Sequence, residues 1–247
     1  MSKAHAIARE QPDTRAARHL ARLLNPTPAF CAHLPGSARR SEVEHYIADR
    51  FRAVHGATIQ DFMPVLLTMG CHGGITAASG IRAAAGRALF LEQYLDQAVE
   101  RTLSVRSGAA VDRGRIAEIG NLVATQGGSS YLLFMVLTAI LEQAGFEWVV
   151  FTATPQVSKA LAHLGLSVET LCEADPARLT RSSAADWGRY YASRPRVVAG
   201  RSEEAMRVLD EHLLYSGVLA LFRTSIAELA EVVRGAGSGR GTHILTA

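Results

Sequence analysis

The chain has 247 residues, 48% of them hydrophobic, and a formal net charge of +3. This length and apolar content suit one domain with a large core, and so small a charge gives no indication of nucleic-acid binding. The three cysteines, Cys31, Cys71 and Cys172, are widely spaced, so we expect neither a disulfide framework nor a metal site. The N-terminus shows no secretory signal pattern, which makes the cytoplasm the default expectation.

The sequence predicts one central domain with an extension at each end. Residues 1–40 hold seven Lys and Arg against two acidic residues, which predicts a flexible basic extension. Within it, residues 14–24 suit a short basic amphipathic helix, for which loose packing is favoured over membrane contact. We expect the domain itself at 41–200, a helical extension at 201–234 and a disordered glycine-rich tail at 235–247.

The front half predicts a helix, a hairpin and a second helix. The first helix, 41–55, starts with Ser41 as its capping residue and Glu44 three positions later. Strands at 62–69 and 75–83 then flank a glycine-rich turn, and a helix at 88–103 follows.

An acidic face is predicted on that second helix. Glu92, Asp96 and Glu100 follow one another at four-residue spacing. Like charges at this spacing repel, so the face is either simply solvated or binds a cation. The candidate cations are Arg82, another residue of this chain, and the amine of a substrate.

The most informative stretch is the unit from Arg115 to Leu166. Its first strand is apolar except for Glu118 and Asn121. Polar groups in a buried strand require polar partners or a function. The Gln-Gly-Gly-Ser-Ser loop that follows combines flexible backbone with helix-capping hydroxyls, a combination that lets N–H groups converge on a phosphate. The predicted order is strand 116–124, phosphate loop 126–130, buried helix 131–144, strand 146–154 and helix 155–165.

This unit resembles the core of the GNAT acyltransferase superfamily, in which a Q/R-x-x-G-x-G/A loop holds the pyrophosphate of coenzyme A. With Gly128 as the central glycine, Thr125 and Ser130 replace the usual Gln/Arg and Gly/Ala. The change favours binding of the pantetheine-phosphate arm over tight binding of whole coenzyme A. Leu161 stands where many of these enzymes have the tyrosine that protonates the leaving thiolate. A thiol is acidic enough to leave as the thiolate without a dedicated acid, so acyl transfer is still expected despite this change.

A second resemblance, to the thermostable hemolysin family, covers Val43 to Gly200. It is carried by six ordered blocks: 80–84, 89–96 with Glu100, 118–122, 151–154, 174–175, and 187–191 leading into Pro195 and Gly200. The strand at Glu118 is also similar to the E-x-x-R-x-x-V pattern of acyl-homoserine-lactone synthases. Asn121 replaces the arginine of that pattern, which argues against a signal synthase.

The resemblances imply an α/β (α+β) fold of GNAT type, with a mixed, centrally splayed sheet flanked by helices and an added C-terminal helix. They imply an N-acyltransferase that uses acyl-CoA or an acyl carrier protein as co-substrate, acylates a small amine or amino acid, and holds no tightly bound cofactor. Glu118 is the expected base and Asn121 is expected to position the acceptor. Expected thioester-binding residues are Leu122, Val123, Ala124, Gly127, Gly128, Ser129 and Ser130, and expected substrate residues are Arg82, Glu92, Asp96 and Trp187.

Several alternatives stay open at this point. The family name introduces direct membrane lysis, and a non-catalytic acyl-binding module would use the same strands. Trp187 opens a Trp-Gly-Arg-Tyr-Tyr cluster that either pins the last strand to the core or lines an acyl tunnel. Residues 203–234 read as one long or broken helix with Gly217 as a candidate kink, suited to intramolecular packing or to a homodimer.

Overall fold

The computed structural model describes residues 24–71, 74–125, 128–179 and 184–237. The strands in these ranges are β1 (Ala29–His33), β2 (Val65–Cys71), β3 (Gly74–Ala83), β4 (Ile116–Ala124), β5 (Trp148–Ala153), β6 (Glu169–Glu173) and β7 (Arg196–Arg201). The α-helices are α1 (Arg40–His55), α2 (Val99–Ser107), α3 (Ser129–Gln143), α4 (Pro155–His163), α5 (Ser202–Glu211), α6 (Leu213–Leu221) and α7 (Arg223–Gly237).

The strands form one sheet with the order β1-β2-β3-β4-β5-β7-β6. Every neighbouring pair is antiparallel except β4 and β5, which are parallel and joined by α3. The mixed sheet flanked by helices is therefore confirmed.

Helices cover both faces of the sheet. Neighbouring strand residues point to opposite faces, and Leu66 and Leu67 accordingly belong to different buried clusters. One face packs against α3 and the three C-terminal helices, and the other packs against α1, α2 and the 3₁₀ helix Phe90–Tyr94. The helix predicted at 131–144 corresponds to α3. It lies at the centre of the cluster on the first face and is buried nearly all round, as predicted.

The prediction of one continuous helix over 88–103 is wrong. A 3₁₀ helix, Phe90–Tyr94, ends at the extended residue Leu95, and α2 begins afresh at Val99. The Glu92 carboxylate accepts the backbone N–H groups of both Leu89 and Val99, at 2.7 and 2.9 Å. These two bonds hold the segment in a bend that a continuous helix cannot make.

The start of the domain also differs from the prediction. β1 pairs with β2 along residues 29–33, so the sheet includes part of the predicted N-terminal extension. Ser41 is not the cap of α1, because the helix starts at Arg40 and Glu44 pairs with the Arg40 side chain at 2.7 Å. The predicted helix at 14–24 falls almost wholly outside the described residues.

The predicted C-terminal helix is divided into three, and the breaks are not at Gly217. They lie at His212, which is extended, and at Phe222. The breaks let α5, α6 and α7 each bury apolar side chains in the cluster around α3. Of the predicted tail, residues 235–237 complete α7 and the rest lies outside the described residues.

Within the described ranges no single helix is both long and apolar enough to span a bilayer. α6 and α7 reach the required length and composition only as a pair, and the pair is bent by 73°.

A short segment of 3₁₀ turns, residues 184–193, is held against the end of α1. Thr58 N–H donates to Asp186 O at 2.6 Å, and Arg189 N–H donates to His55 O at 2.7 Å. Between them, Gly188 has a φ of +53°, and a Cβ on this residue would lie 2.3 Å from His55 O. Only glycine permits so close an approach of the two backbones.

We expect Gly188→Ala to lower the free energy of unfolding by about 3–5 kcal/mol, because a left-handed conformation and a backbone clash add. The matched control is Gly86→Ala, which has a φ of +69° but no heavy atom within 4 Å of its Cβ position. The control should cost only about 1–2 kcal/mol. Urea unfolding of both variants measures the difference, and equal losses would contradict the close contact at His55.

Candidate active site

The strands β4 and β5 pair for only part of their length. Their register runs from Ile116 opposite Trp148 to Ile119 opposite Phe151. β4 continues to Ala124 and β5 to Ala153, yet no pair between the two strands follows Ile119 in the described residues. The predicted splay is therefore confirmed, and it leaves an edge of β4 open to a ligand.

A bulge in β4 lies at the start of this gap. Gly80 pairs with Gly120 and Ala78 with Val123, so two residues of β4 stand opposite one of β3. One of the two is Asn121, whose φ of 48° is in the left-handed region that asparagine tolerates better than most residues.

The Asn121 side chain fixes a loop above the sheet. Its Oδ1 accepts the Met63 N–H at 2.9 Å, and its Nδ2 donates to Asp61 O at 3.4 Å. The buried guanidinium of Arg40 holds the same loop from the other side, donating to Met63 O at 2.7 Å and Pro64 O at 3.0 Å. The loop carries Asp61 and Met63 into the lining of the cavity described below.

Two paired glycines make room for Met63. A Cβ on Gly80 would lie 2.7 Å from Met63 Cβ, and one on Gly120 would lie 2.5 Å from Met63 Cε. Because the sheet has no side chains here, Met63 lies directly on its backbone.

Glu118 is 2% exposed in the middle of the sheet. Its carboxylate accepts the N–H groups of Phe90 at 3.0 Å and Leu91 at 2.8 Å, and Arg82 Nη1 lies 3.7 Å from Oε2. Burial raises the pKa of Glu118, while the two backbone bonds and the charge of Arg82 act in the opposite direction. The result is a buried carboxyl whose proton affinity is higher than that of an ordinary glutamate.

The predicted acidic face is not one surface. Glu92 and Glu100 both bind the Arg113 guanidinium, at 2.7 and 2.5 Å, so their cation is another residue of this chain. Hydrogen bonds from Arg113 lower the pKa of Glu92 against the opposing effect of burial. Asp96 lies in the bend after the 3₁₀ helix and pairs with Arg178 at 2.8 Å. Neither Glu92 nor Asp96 lines the cavity, and Glu92 instead holds the segment that binds Glu118.

A cavity of about 270 Å³ opens over Glu118. Arg82, Glu118 and Asn121 contribute its polar lining from the sheet. Its apolar lining includes Phe51, Ile59, Met63, Phe90, Trp187 and Tyr190.

A wider groove of about 670 Å³ adjoins the cavity. Leu122, Val123 and Ala124 form its β4 side, and Thr154 and Gln156 form the facing side at the start of α4. Arg50 and Arg189 add positive charge. The residues that line both spaces are Phe51, His55, Leu122 and Thr154, so the cavity and the groove meet at the gap between the two strands.

The predicted phosphate loop leads into the N-terminus of α3. Gly128 has a φ of 84° and precedes the helix, whose first internal bond is from Tyr131 N–H to Gly128 O. Ser129 is fully buried, and its Oγ has no hydrogen-bond partner among the described residues. Ser130 follows in the first turn, whereas Gly127 lies outside the described residues. A helix N-terminus of this kind attracts anions.

Trp187 belongs to an aromatic cluster beside the cavity. Its ring lies 5.5 Å from Phe90 and 5.3 Å from Tyr190, measured between centroids, and it lines the cavity. Beside it, the Tyr94 and Tyr191 hydroxyls are hydrogen-bonded to each other at 2.5 Å, and burial raises the pKa of Tyr94. The cluster therefore both anchors the segment before β7 and forms an apolar wall.

Two other residues stand apart from the cavity and the groove. Leu161 packs in the cluster around α3, on the opposite face of the sheet from Glu118. His163 contacts the Tyr131 hydroxyl at 3.1 Å. No sequence pattern predicted a place at the site for His55, Asp61, Phe90 or Arg40, because that place depends on contacts with distant segments.

A family profile described as "Thermostable hemolysin" matches residues 33–206. The chain belongs to the thermostable hemolysin family. A search among curated protein sequences gave no significant match.

Solved structures similar to this thermostable hemolysin family member share its fold. FeeM, an N-acyl amino acid synthase from uncultured soil microbes, aligns with a TM-score of 0.50 and 12% identity, over 77% of this chain and 98% of FeeM. BjaI, a CoA-dependent acyl-homoserine lactone synthase solved with MTA, aligns with a TM-score of 0.50 and 12% identity, over 74% of this chain and 88% of BjaI. At this identity the likeness establishes the GNAT-like fold.

The bulge residue gives a direct test of the site's construction. We expect Asn121→Gly to lower the free energy of unfolding by about 1–2 kcal/mol, because the Met63 N–H loses its acceptor. Asn121→Ala should cost about 1 kcal/mol more, since it also forces a Cβ into the left-handed region. Chemical denaturation measures both, and a glycine variant as stable as the wild type would contradict the role of the amide.

Proposed function

We propose that this protein is an N-acyltransferase that moves an acyl group from a thioester to the amine of a small acceptor. The donor is acyl-CoA or an acyl carrier protein, and the product is a lipidic amide. The observation that carries the proposal is the gap between β4 and β5, which joins a groove to a cavity containing a buried carboxylate. FeeM is an N-acyl amino acid synthase and BjaI is a CoA-dependent acyl-homoserine lactone synthase, and both activities are consistent with this reaction.

The groove suits the pantetheine arm of the donor. Open strand edges bind extended chains through backbone hydrogen bonds, and Leu122, Val123 and Ala124 offer such an edge. We assign to their backbone N–H groups the polarisation of the thioester carbonyl. The N-terminus of α3 at Gly128, with Ser129 and Ser130, is assigned to the phosphate of the arm.

The cavity suits the acceptor and the acyl end of the donor. Apolar walls of Phe90 and Trp187 fit an acyl chain, and Glu118 fits the amine. We assign Glu118 as the base that removes a proton from the acceptor, directly or through water. Asn121 is assigned to hold the loop at Met63 over the acceptor, since its amide is bonded there.

Arg82 supports the proposal of an acceptor that carries a carboxylate. Its side chain is 19% exposed and lines the cavity, and its charged contact, with Glu118 at 3.7 Å, exceeds hydrogen-bond distance. Among the described residues its guanidinium donates no hydrogen bond, so its donors are available to a ligand. A carboxylate matches the fork of a guanidinium, which favours an amino acid over a simple amine.

The proposal is tested by mass spectrometry of the purified protein with mixed acyl-CoA and acyl-carrier-protein thioesters and a pool of amines and amino acids. A new amide supports acyl transfer and names both substrates. Bound thioester without product would favour a non-catalytic binding module. Lysis of liposomes by the protein alone, without thioester, would favour direct membrane action.

We expect Glu118→Gln to lower kcat/KM by about 10²–10⁴-fold, the usual range for loss of a general base. In the wild type, kcat/KM should rise with pH through the pKa of Glu118, which lies above the ordinary 4.5, because the base must be deprotonated. This limb should vanish in the variant while thioester binding persists. Glu142→Gln on the exposed surface of α3 is the control, and full activity of Glu118→Gln would contradict the assignment.

We expect Arg82→Gln to raise KM for amino-acid acceptors by about 10–100-fold, as for loss of one charge-assisted hydrogen bond. KM for the matching amino-acid amides, which lack the carboxylate, should not change. The exposed Arg101→Gln serves as the control. Equal effects on acids and amides would contradict a carboxylate site.

A further inference from the structure

The junction between cavity and groove contains one titratable side chain that the proposed function has not used. Of the four residues that line both spaces, Phe51 and Leu122 are apolar. The Thr154 hydroxyl caps α4 by accepting the Val157 N–H at 3.4 Å. The fourth residue, His55, has an imidazole that both accepts and donates protons.

The position of His55 is fixed from two sides. It ends α1, and the following residue Gly56 is left-handed. The Gly56 N–H donates to Arg52 O at 2.8 Å, and the Ala57 N–H donates to Phe51 O at 3.4 Å. Its own carbonyl accepts the Arg189 N–H, and the close approach of Gly188 holds the backbone there. These contacts fix the backbone of His55 beside the junction.

The ring of His55 is oriented by aromatic neighbours. It meets the Tyr190 ring edge to face, with centroids 5.2 Å apart and an interplanar angle of 80°. The Phe51 ring lies 5.9 Å away on another side. Among the described residues, neither ring nitrogen of His55 has a hydrogen-bond partner, so both are available to a ligand at the junction.

We infer that His55 is a second catalytic residue, which takes a proton from the attacking amine nitrogen and returns it to the departing sulfur. This inference rests on the proposed function. The acceptor enters from the cavity and the thioester from the groove, so nitrogen, carbonyl carbon and sulfur meet where His55 lies.

The proton balance requires two bases when the acceptor arrives as an ammonium ion. Glu118 takes the first proton and releases it to solvent. The free amine then forms the N–C bond, and its nitrogen passes a second proton to His55. When the C–S bond breaks, the electron pair goes to sulfur and His55 protonates it, leaving an amide, a free thiol and a neutral imidazole.

The surroundings of His55 keep the ring ready to accept a proton. Burial, and then the charge of Arg189, lower the pKa of His55, so that the imidazole is neutral at neutral pH. The charged and titratable groups that line the two spaces with His55 are Arg50 and Arg189 in the groove, and Asp61, Arg82, Tyr94, Glu118, Asp186 and Tyr190 in the cavity.

The test compares His55→Gln and His55→Ala with the wild type, using acyl thioester and acceptor identified by the amide assay. Both variants should lose about 10²–10⁴-fold in kcat with little change in KM. Added imidazole should restore part of the kcat of His55→Ala, because it enters the space of the deleted ring, but should not affect the wild type. His45→Gln is the matched control, since His45 is exposed on the same helix and lines neither space.

The outcomes separate this inference from the proposed function. No amide from the wild type would overturn the proposed function itself. Amide formation that persists at wild-type kcat in both His55 variants would overturn only the role of His55. A lower kcat in His55→Ala that imidazole does not restore, in a variant whose thermal unfolding matches the wild type, would also overturn it.

Discussion

The site depends on the burial of one carboxylate. Glu118 lies in the middle of the sheet, where an unpaired charge would cost several kcal/mol. Its donors come from Phe90 and Leu91, at the start of a 3₁₀ helix. That helix is in turn held by Glu92 and Arg113, so the stability of the segment and the environment of the Glu118 carboxylate are joined. Glu92, which the sequence suggested as a substrate contact, instead supports the segment that binds Glu118.

The second constraint is the departure of β4 from regular pairing. The bulge at Asn121 turns the strand just after its last pair with β5, and the missing side chains of Gly80 and Gly120 let Met63 lie on the sheet. One local irregularity therefore produces three features together: an open strand edge, a roof over the cavity, and a passage between cavity and groove. If β4 and β5 stayed paired along their whole length, the strand edge would be covered and the passage would be closed.

The sequence was informative where local pattern decides structure. The apolar run from 116 to 124 predicted β4 correctly, and Glu118 stood out because a carboxylate in a buried strand requires partners. The pattern did not predict the partners, since Arg113 meets Glu92 and Glu100 only after the chain has folded. It also gave no sign of His55, an ordinary helix-terminal residue until Gly188 brings a distant segment against it. Four-residue spacing predicted one helix, where in the structure the backbone N–H groups of Leu89 and Val99 donate to the Glu92 carboxylate and hold a bend.

The most direct test of this account is a crystal structure of the protein with a non-reactive thioether analogue of an acyl-pantetheine. The account predicts that the sulfur lies between Leu122 of β4 and Thr154, beyond the last pair of Ile119 with Phe151. The acyl end should point toward Glu118 and the pantetheine arm should lie along residues 122–124. An analogue bound away from this gap, or a sheet in which β4 and β5 remain paired past Ile119, would contradict the account.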